Sequence, residues 1–305
     1  MKLSIAYAVD ENVTTLVSVS IASILYNNKS NDIEIIILNS GLSEICKKNI
    51  ESLKRIKDFA LRFVDVDEKE FENLCAKSWT ITSFFRFKLA SLCPDIDKII
   101  YLDCDTMCRK DLKDFFNIDL QNKLAAVRYE YDINERIKKI KPEIKSDWYF
   151  NSGVMVINLK RWREENLEEK LFEQALINPE QYDFIDQDIL NVVIDDDKVR
   201  IDDSEIYLNV WWTQLKRPVI KRLHTLVHFI GPKPNSIKCR NIYKDEWWKY
   251  AALVPECKKY KYVRNKQRIE GFKEFFFNKM LFSNKVEYII LGMKFSFKRK
   301  QVVNA

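Results

Sequence analysis

The sequence contains no long apolar run and no segment typical of export. None of its hydrophobic stretches reaches the roughly 18 residues that a membrane-spanning helix needs. Residues 1–9 include one lysine and lack the basic, apolar and small-residue parts of a secretory signal. Hydrophobic residues make up 47% and charged residues 31% of the chain, which is usual for a globular protein and argues against disorder. We therefore expect a folded, cytoplasmic protein.

Paired cysteines and a glycine-rich loop are also missing. The seven cysteines are an odd number and are scattered along the chain, which favours reduced thiols over a disulfide framework. Cys104 and Cys108 lie four residues apart, but no second pair of cysteines or histidines accompanies them, so a zinc site is not favoured. Residues 8–13 contain no glycine, whereas a nucleotidyltransferase should carry a glycine-rich phosphate loop after its first strand.

Hydrophobic patterning predicts an α/β fold. Apolar runs predict strands at residues 3–9, 33–38, 61–66 and 98–102, and helical periodicity predicts helices at residues 13–26 and from Ser43 to about residue 57. Further helices are expected between residues 69 and 92, the second from about Thr80. This alternation predicts a mostly parallel sheet with right-handed crossovers. Later segments predict strands at 124–127, 154–159, 199–201 and 226–230, and helices at 160–177 and 186–193.

Two carboxylates follow the fourth predicted strand. Asp103 and Asp105 come directly after the apolar run at residues 98–102 and are separated by one residue. In extended backbone, residues two apart point to the same side, so both carboxylates can converge on one point beyond the strand. Open α/β sheets bind ligands at this edge, and a hard divalent cation such as Mn²⁺ or Mg²⁺ prefers oxygen ligands. The alternative is that Asp103 caps the next segment and Asp105 is a solvated turn residue.

Basic and aromatic residues are concentrated near the C-terminal end. The whole chain has a net charge of +6, but residues 257–305 carry 13 Lys and Arg against 3 Asp and Glu, so the remainder is mildly acidic. We divide the chain into a body at residues 1–250 and a basic, aromatic, helical tail at residues 251–305. Such a tail is typical of peripheral contact with an anionic membrane. The alternatives are a docked helical subdomain and a nucleic-acid arm, which apolar clusters at residues 275–277 and 288–291 disfavour.

Five motifs at predicted strand or helix ends complete the pattern around the acidic pair. They lie at residues 8–12, 80–89, 149–159, 184–191 and 228–234. In this order and spacing, the chain resembles glycosyltransferase family eight, which includes glycogenin and bacterial lipopolysaccharide galactosyl- and glucosyltransferases. The resemblance covers about residues 3–240.

The resemblance implies a GT-A fold, with a Rossmann-like central sheet, and retaining transfer of a hexose from a UDP-sugar with the help of Mn²⁺, with Mg²⁺ as the alternative ion. The acceptor would be a glycan or lipid-linked saccharide in cell-envelope polysaccharide synthesis, at the inner face of the membrane. Asp103, Asp105 and His228 would be the metal ligands. Whether glucose or galactose is transferred is not decided by residue types, and no nucleic-acid partner is expected.

The resemblance also assigns donor-binding and catalytic candidates. The residues matched to donor binding are Ala8, Asp10, Asn12, Arg86, Asp103, Cys104, Asn151, Gly231 and Lys233. Gln187 and Asp186 are the catalytic candidates near the donor sugar. Because an amide is a poor nucleophile, we expect same-face attack by the acceptor hydroxyl rather than double displacement through Gln187, and a hydroxyl-binding role for Asp186.

Three departures from the family pattern qualify these expectations. Val13 stands where the family has a ring that stacks on uracil. The motif after His228 is one residue shorter between Gly231 and Lys233, which changes the expected reach of Lys233. In residues 125–132 the usual carboxylate is displaced or absent. A catalytically lapsed sugar- or partner-binding module is therefore kept as the alternative function.

Overall fold

The structure, a computed structural model, describes residues 1–74, 77, 80–130, 138, 141, 144–177, 179–202, 204–208, 223–239, 241–281, 285–291 and 293–298. The end of the predicted tail, residues 299–305, lies outside them.

A central sheet organises the described part of the chain. Its strands are β1 (Lys2–Ala8), β2 (Asp32–Asn39), β3 (Ala60–Asp65), β4 (Lys98–Leu102), β6 (Ala125–Tyr129), β7 (Phe150–Asn158) and β8 (Lys198–Arg200), while β5 (Thr106–Cys108) belongs to a second sheet. The order is β3-β2-β1-β4-β7-β6-β8, and β7 runs antiparallel to both of its neighbours while the other pairs are parallel. The predicted mostly parallel sheet is therefore confirmed.

Helices cover both faces of this sheet. They are α1 (Thr14–Asn27), α2 (Glu44–Glu51), α3 (Leu89–Leu92), α4 (Lys113–Phe116), α5 (Leu159–Glu164), α6 (Leu167–Leu176), α7 (Ile185–Ile194), α8 (Lys244–Ala251) and α9 (Lys261–Phe276). Alternate residues of β1 enter two different cores. Ile5 and Tyr7 pack in a core with α1 and α8, whereas Ala6 and Ala8 face a core with α5, α6 and α7. The period of two along a buried strand requires this division.

Two predicted helices differ from the structure. The helix expected at residues 160–177 is broken into α5 and α6, because Asn166 adopts a left-handed conformation with φ 49° between them. The segment expected to be helical from about Thr80 is a 3-10 helix at Ile81–Lys88. Side chains three residues apart eclipse in a 3-10 helix, and Phe84 and Phe87 accordingly enter the core together, with ring centroids 5.4 Å apart.

A small second sheet brings a distant part of the chain to the end of β4. β10 (Leu226–His228) pairs antiparallel with β5 and parallel with β9 (Ile206–Leu208). In this register His228 lies opposite Thr106, next to Asp105 in the chain. The strand near residue 226 was predicted, but β5 was not, since three residues are too few to show a hydrophobic period.

The tail is only partly helical. α9 matches the predicted helix, but an antiparallel sheet of β11 (Phe277–Leu281), β12 (Lys285–Ile290) and β13 (Met293–Lys298) follows it. The expectation of a wholly helical tail is therefore wrong. Alternation of apolar residues at 286, 288 and 290, and again at 293, 295 and 297, has the period of strands and explains the difference. Within the described residues, no helix is long and apolar enough to span a bilayer.

Candidate active site

The acidic pair follows the carboxyl end of β4, and its two side chains converge as predicted, but through a turn closed by Thr106 N donating to Asp103 O at 3.2 Å and not through extended backbone. Asp103 N donates to Gly153 O at 2.7 Å, which ties the strand end to β7. Asp103, Asp105 and His228 each offer one ligand atom, and these three atoms lie within 4.8 Å of one another. Among the described residues, these three form the cluster that could hold a metal ion. A carboxylate–imidazole set of this kind suits a divalent transition metal.

His228 presents its Nε2 atom to the acidic pair. That nitrogen lies 3.2 Å from Asp105 Oδ1 and 3.5 Å from Asp103 Oδ2. On the other side of the ring, Nδ1 is 3.0 Å from Asn151 Oδ1. A carbonyl oxygen accepts only from a protonated nitrogen, so the contact with Asn151 puts a proton on Nδ1 and leaves Nε2 as the ring nitrogen that faces the carboxylates. This is the outer hydrogen bond that orients a metal-binding histidine.

Gly153 provides the space in which these groups meet. A Cβ atom added at this residue would lie 2.2 Å from His228 Cε1 and 2.4 Å from Asp103 Oδ2. Gly153 does not have a positive φ, unlike Gly41 and Gly231, so glycine is required here for space and not for backbone conformation. The space at Gly153 and the ligand atoms of Asp103, Asp105 and His228 therefore fit a metal ion.

Neighbouring cations keep Asp105 ionised. Burial alone would raise the pKa of Asp105, but the positive charges of Lys233 and His228 outweigh it and hold this pKa below its usual range. Lys233 Nζ forms an ion pair with Asp105 Oδ2 and lies 3.3 Å from Phe229 O. The predicted reach of Lys233 to this end of the site is thus achieved despite the short loop.

Arg86 connects the acidic pair to a further carboxylate. Its Nη2 donates to Asp103 Oδ1 at 3.0 Å, and its Nε lies 3.3 Å from Asp186 Oδ2. The guanidinium stacks over the Tyr101 ring, 4.3 Å from its centroid. Only 5% of Arg86 is exposed, and although burial opposes the charge, Asp186 and Asp103 raise the pKa of Arg86 above its ordinary value.

Asp186 is a buried carboxylate with an upward-shifted pKa. Burial is the main cause, the charge of Arg86 opposes it, and the pKa is raised to about 6. Ser152 Oγ donates to Asp186 Oδ2 at 3.3 Å, and Arg86 Nη1 donates to Ser152 O at 2.9 Å. Asp186 therefore belongs to the same network as the acidic pair but does not contact it directly.

The Gln187 amide is held at four points. Its Oε1 accepts from Asn151 Nδ2 at 3.0 Å and from Ser152 N at 3.1 Å. Its Nε2 donates to Glu130 Oε2 at 3.2 Å and to Tyr149 Oη at 3.1 Å. An amide has two donor hydrogens and two acceptor lone pairs, so this network uses all of them. The amide plane is consequently fixed at the floor of the site.

Glu130 is a buried carboxylate in the segment at 125–132, where the sequence predicts that the family's usual carboxylate is displaced or absent. It lies at the end of β6 and accepts from Asn151 Nδ2 and Gln187 Nε2. Burial raises the pKa of Glu130, with these hydrogen bonds opposing the shift. Just before Glu130 the pairing of β6 with β7 shifts between Val127 and Arg128, from Met155 to Asn151, so the end of β6 lies beside the start of β7.

A single cleft of about 290 Å³ collects nearly all of the predicted site residues. Those lining it are Ala8, Asp10, Arg86, Asp103, Cys104, Asp105, Asn151, Asp186, Gln187, His228, Gly231 and Lys233. Asn12 is not among them: it is exposed, and its backbone N–H donates to Asp10 Oδ1 in the turn before α1. The prediction that Asn12 contacts the donor is not supported by this placement.

Several lining residues were not predicted from the sequence. They include Val13, Leu16, Ser83, Tyr101, Glu130, Ser152, Phe184 and Ile230. Two of them follow from simple periodicity, since Tyr101 precedes Asp103 by two residues on an extended chain and Ser83 precedes Arg86 by one 3-10 turn.

Cys104 and Cys108 do not share a metal site. Cys104 Sγ donates to Ala8 O at 3.2 Å, whereas Cys108 Sγ donates to Lys110 O at 3.0 Å. Burial raises the pKa of both thiols, so both remain neutral. The contact of Cys104 joins the end of β1 to the acidic motif.

Comparison with known proteins agrees with this geometry. The family model described as "Glycosyl transferase family 8" matches residues 4–234. Lipopolysaccharide 1,2-glucosyltransferase of Escherichia coli K12 is 29% identical over 63% of this chain and 58% of its own length, and lipopolysaccharide 1,3-galactosyltransferase of Salmonella typhimurium is 29% identical over 76% and 72%. The crystal structure of galactosyltransferase LgtC with donor and acceptor sugar analogs superposes with a TM-score of 0.73 at 22% identity, covering 87% of this chain and 100% of that one.

Proposed function

The chain belongs to glycosyltransferase family 8, and on this basis we propose that it transfers a hexose from a UDP-sugar, with retention of configuration and dependence on Mn²⁺. The observation that carries the proposal is the convergence of Asp103, Asp105 and His228 in a cleft that also presents Lys233 and Arg86. The relatives named as lipopolysaccharide glucosyl- and galactosyltransferases support glucose or galactose as the sugar and an envelope saccharide or glycolipid as the acceptor.

The metal-binding residues fit this chemistry. A divalent ion held by two carboxylates and one imidazole keeps coordination positions for phosphate oxygens and offsets the charge of a departing diphosphate. The imidazole ligand favours Mn²⁺ over Mg²⁺, which prefers oxygen ligands alone. Asn151 supports the site by orienting His228.

Two cations, the buried Arg86 and the partly exposed Lys233, act on the leaving group. Lys233 contacts Asp105 and Arg86 contacts Asp103 in the ligand-free arrangement. When a phosphate approaches the same edge, both cations can place hydrogen-bond donors on its oxygens, where negative charge grows as the sugar–phosphate bond breaks. Ala8, Asp10, Val13 and Ile230 border the cleft and offer the surface for the uridine.

The environments of Gln187 and Asp186 support same-face attack. All four hydrogen-bonding positions of Gln187 are used by the protein, and Asp186 is paired with Arg86. Neither side chain is therefore arranged as a nucleophile. We assign to Gln187 the position beneath the donor sugar, and to Asp186 the role of holding the Arg86 guanidinium in place through their ion pair. The acceptor hydroxyl passes its proton to the leaving phosphate.

The proposal predicts metal-dependent release of UDP. Purified protein should hydrolyse UDP-glucose or UDP-galactose in Mn²⁺ and lose this activity in a chelator. Asp103→Asn should lower UDP release by at least about a hundredfold, because the carboxylate binds the ion that offsets leaving-group charge. Asp97→Asn, the same change at the opposite, exposed end of β4, should leave the rate unchanged. The measurement is UDP formation across a panel of UDP-sugars.

The outcomes of this assay separate the functions under consideration. A protein that neither binds UDP with Mn²⁺ nor hydrolyses any UDP-sugar would contradict the proposal. A protein that binds UDP with Mn²⁺ but turns over no donor, with or without saccharide acceptors, would be the lapsed binding module.

The tail is proposed as the contact with an anionic membrane. Phe295 and Phe297 are 41% and 57% exposed and lie two apart on β13, so they share one face with Tyr288 of β12, which is paired with Phe295. Lysines and arginines of α9 accompany them. Basic residues around exposed aromatic anchors are suited to the interface of anionic lipids.

A vesicle-binding experiment tests the tail. Phe295→Ser with Phe297→Ser should weaken binding to phosphatidylglycerol vesicles by at least about tenfold, since each buried aromatic contributes on the order of 1.5–3 kcal/mol. Ile45→Ser removes an apolar side chain that is 73% exposed on the body and should have no effect. Equal sedimentation of all three proteins with the vesicles would exclude the tail as the anchor.

A further inference from the structure

The loop that carries Lys233 is held by hydrogen bonds within the loop and by contacts from outside it. It leaves β10 through Gly231, which has φ 83°. Ser236 N donates to Lys233 O at 2.9 Å, which makes a turn at the tip of the loop. Pro234 has no N–H to donate. The reach of Lys233 into the cleft therefore depends on what holds the carbonyl groups of this turn.

Gln267, on α9, holds two of these carbonyl groups. Its Nε2 donates to Pro234 O at 2.9 Å and to Ser236 O at 2.7 Å. Its Oε1 accepts from Trp248 Nε1 at 2.8 Å. Gln267 is 3% exposed, while most other described side chains of α9 are exposed or half-buried. Gln267 is thus a buried side chain of α9 that contacts this loop.

We propose that Gln267 is a positioning residue that sets the reach of Lys233 toward the diphosphate of the donor; this inference depends on the proposed function. The two hydrogen bonds clamp the carbonyls on either side of the turn, immediately after Lys233 in the chain. Fixing them restricts the loop to the geometry in which Lys233 Nζ reaches the acidic edge of the cleft. Pre-organisation of this kind lowers the entropy cost of binding.

The position of Gln267 gives the tail a role in the donor site. The clamp belongs to α9, whereas the loop and the cleft belong to the body. The tail is then not a separable anchor, because its first helix completes the support of a phosphate-binding lysine. The loop lies one residue short of the pattern expected for the family, and an external clamp compensates by defining where the shorter loop ends.

A purely structural role would give a different result from the clamp. If Gln267 only docks α9, then any change that loosens α9 should have the same consequences. Val263 offers the matched control, because it is a half-buried residue of α9 that packs against the core and its side chain has no atom that could hydrogen-bond to the loop. Val263→Ala should lower the melting temperature without changing the affinity for UDP relative to that for UMP.

Calorimetric binding of UDP and UMP with Mn²⁺ to the full-length protein tests the clamp. Gln267→Met, which keeps the side-chain volume, should weaken UDP binding by about tenfold, the size expected when one charge-assisted contact is misplaced. UMP lacks the β-phosphate, so its binding should be unchanged. Gln267→Asn, a smaller perturbation, should show the same selectivity for UDP to a lesser degree.

A second background identifies Lys233 as the group through which Gln267 acts. In Lys233→Met protein, adding Gln267→Met should produce no further loss of UDP affinity. Equal weakening of UDP and UMP, an unchanged UDP affinity in both Gln267 variants, or a selective UDP loss in Val263→Ala would overturn the inference. Wild-type protein that binds no UDP would instead refute the proposed function, and this inference with it.

Discussion

Replacing Gly153 by alanine is expected to abolish Mn²⁺ binding and lower UDP-sugar turnover by at least about a thousandfold. The new methyl group would lie 2.2 Å from His228 Cε1 and 2.4 Å from Asp103 Oδ2. Two metal ligands would have to move, and the interior around β7 is too closely packed to absorb the shift. Alanine can adopt the backbone conformation of Gly153, which has no positive φ. The expected loss therefore comes from the steric clash of the new methyl group and not from backbone strain.

A second glycine provides the control for this experiment. Gly271 lies in α9, and a Cβ atom there would meet nothing within 4 Å. Gly271→Ala should bind Mn²⁺ as the wild type does and gain up to about 1 kcal/mol, the helix preference for alanine. Titration of Mn²⁺ by electron paramagnetic resonance, with circular dichroism to check folding, measures both. Normal Mn²⁺ affinity in a folded Gly153→Ala protein would contradict the assigned metal site.

Replacing Arg86 by methionine is expected to destabilise the protein by about 3–5 kcal/mol, because it leaves a buried carboxylate without its cation. Asp186 pairs with Arg86 and is 10% exposed at the side chain. Adding Asp186→Asn should recover most of this loss, since the amide no longer requires a positive partner. Activity should not return, because the guanidinium that faces the diphosphate is still absent.

The loss of stability in Arg86→Met should depend on pH. The pKa of Asp186 is raised to about 6 in the folded state from 3.8, so this group's contribution to stability is present below about pH 4 and is lost as pH rises toward 6. Without Arg86 the pKa rises further, and the loss extends to higher pH. The variant should therefore differ least from wild type near pH 4 and most near pH 8.

Urea unfolding at pH 4, 6 and 8 measures these effects, with Arg62→Met as the matched control. Arg62 is 32% exposed on the edge strand β3 and pairs with the exposed Asp95, and the buried Glu34, which Arg62 approaches at 3.7 Å, keeps its ion pair with Lys2 at 3.0 Å. The loss of Arg62 should therefore cost about 1 kcal/mol or less. If Asp186→Asn fails to rescue Arg86→Met, or if the deficit is independent of pH, Asp186 is not the carboxylate that Arg86 neutralises.

Local sequence signals predicted the framework of the site. The apolar run before Asp103 is a strand, the alternation of strands and helices gives the mostly parallel sheet, and Ser43 caps α2. These features depend on residues a few positions apart, whose spacing sets which side chains share a face. The five motifs added the order of the site residues, and the matching family model confirms the family.

Tertiary structure alone decided how these pieces converge. β5 is too short to have been predicted, yet its pairing with β10 places His228 beside Asp105, across 123 residues of chain. Glu130 joins the cleft from the end of β6, Gln267 of α9 contacts the loop of Lys233, and Asn12 does not line the cleft.

Each of these outcomes depends on pairing and packing between segments far apart in the sequence. The chain by itself therefore determined which side chains can bind a metal and a diphosphate. The fold determined which of them meet, because strand register and close approach depend on two segments together and cannot be deduced from either segment alone.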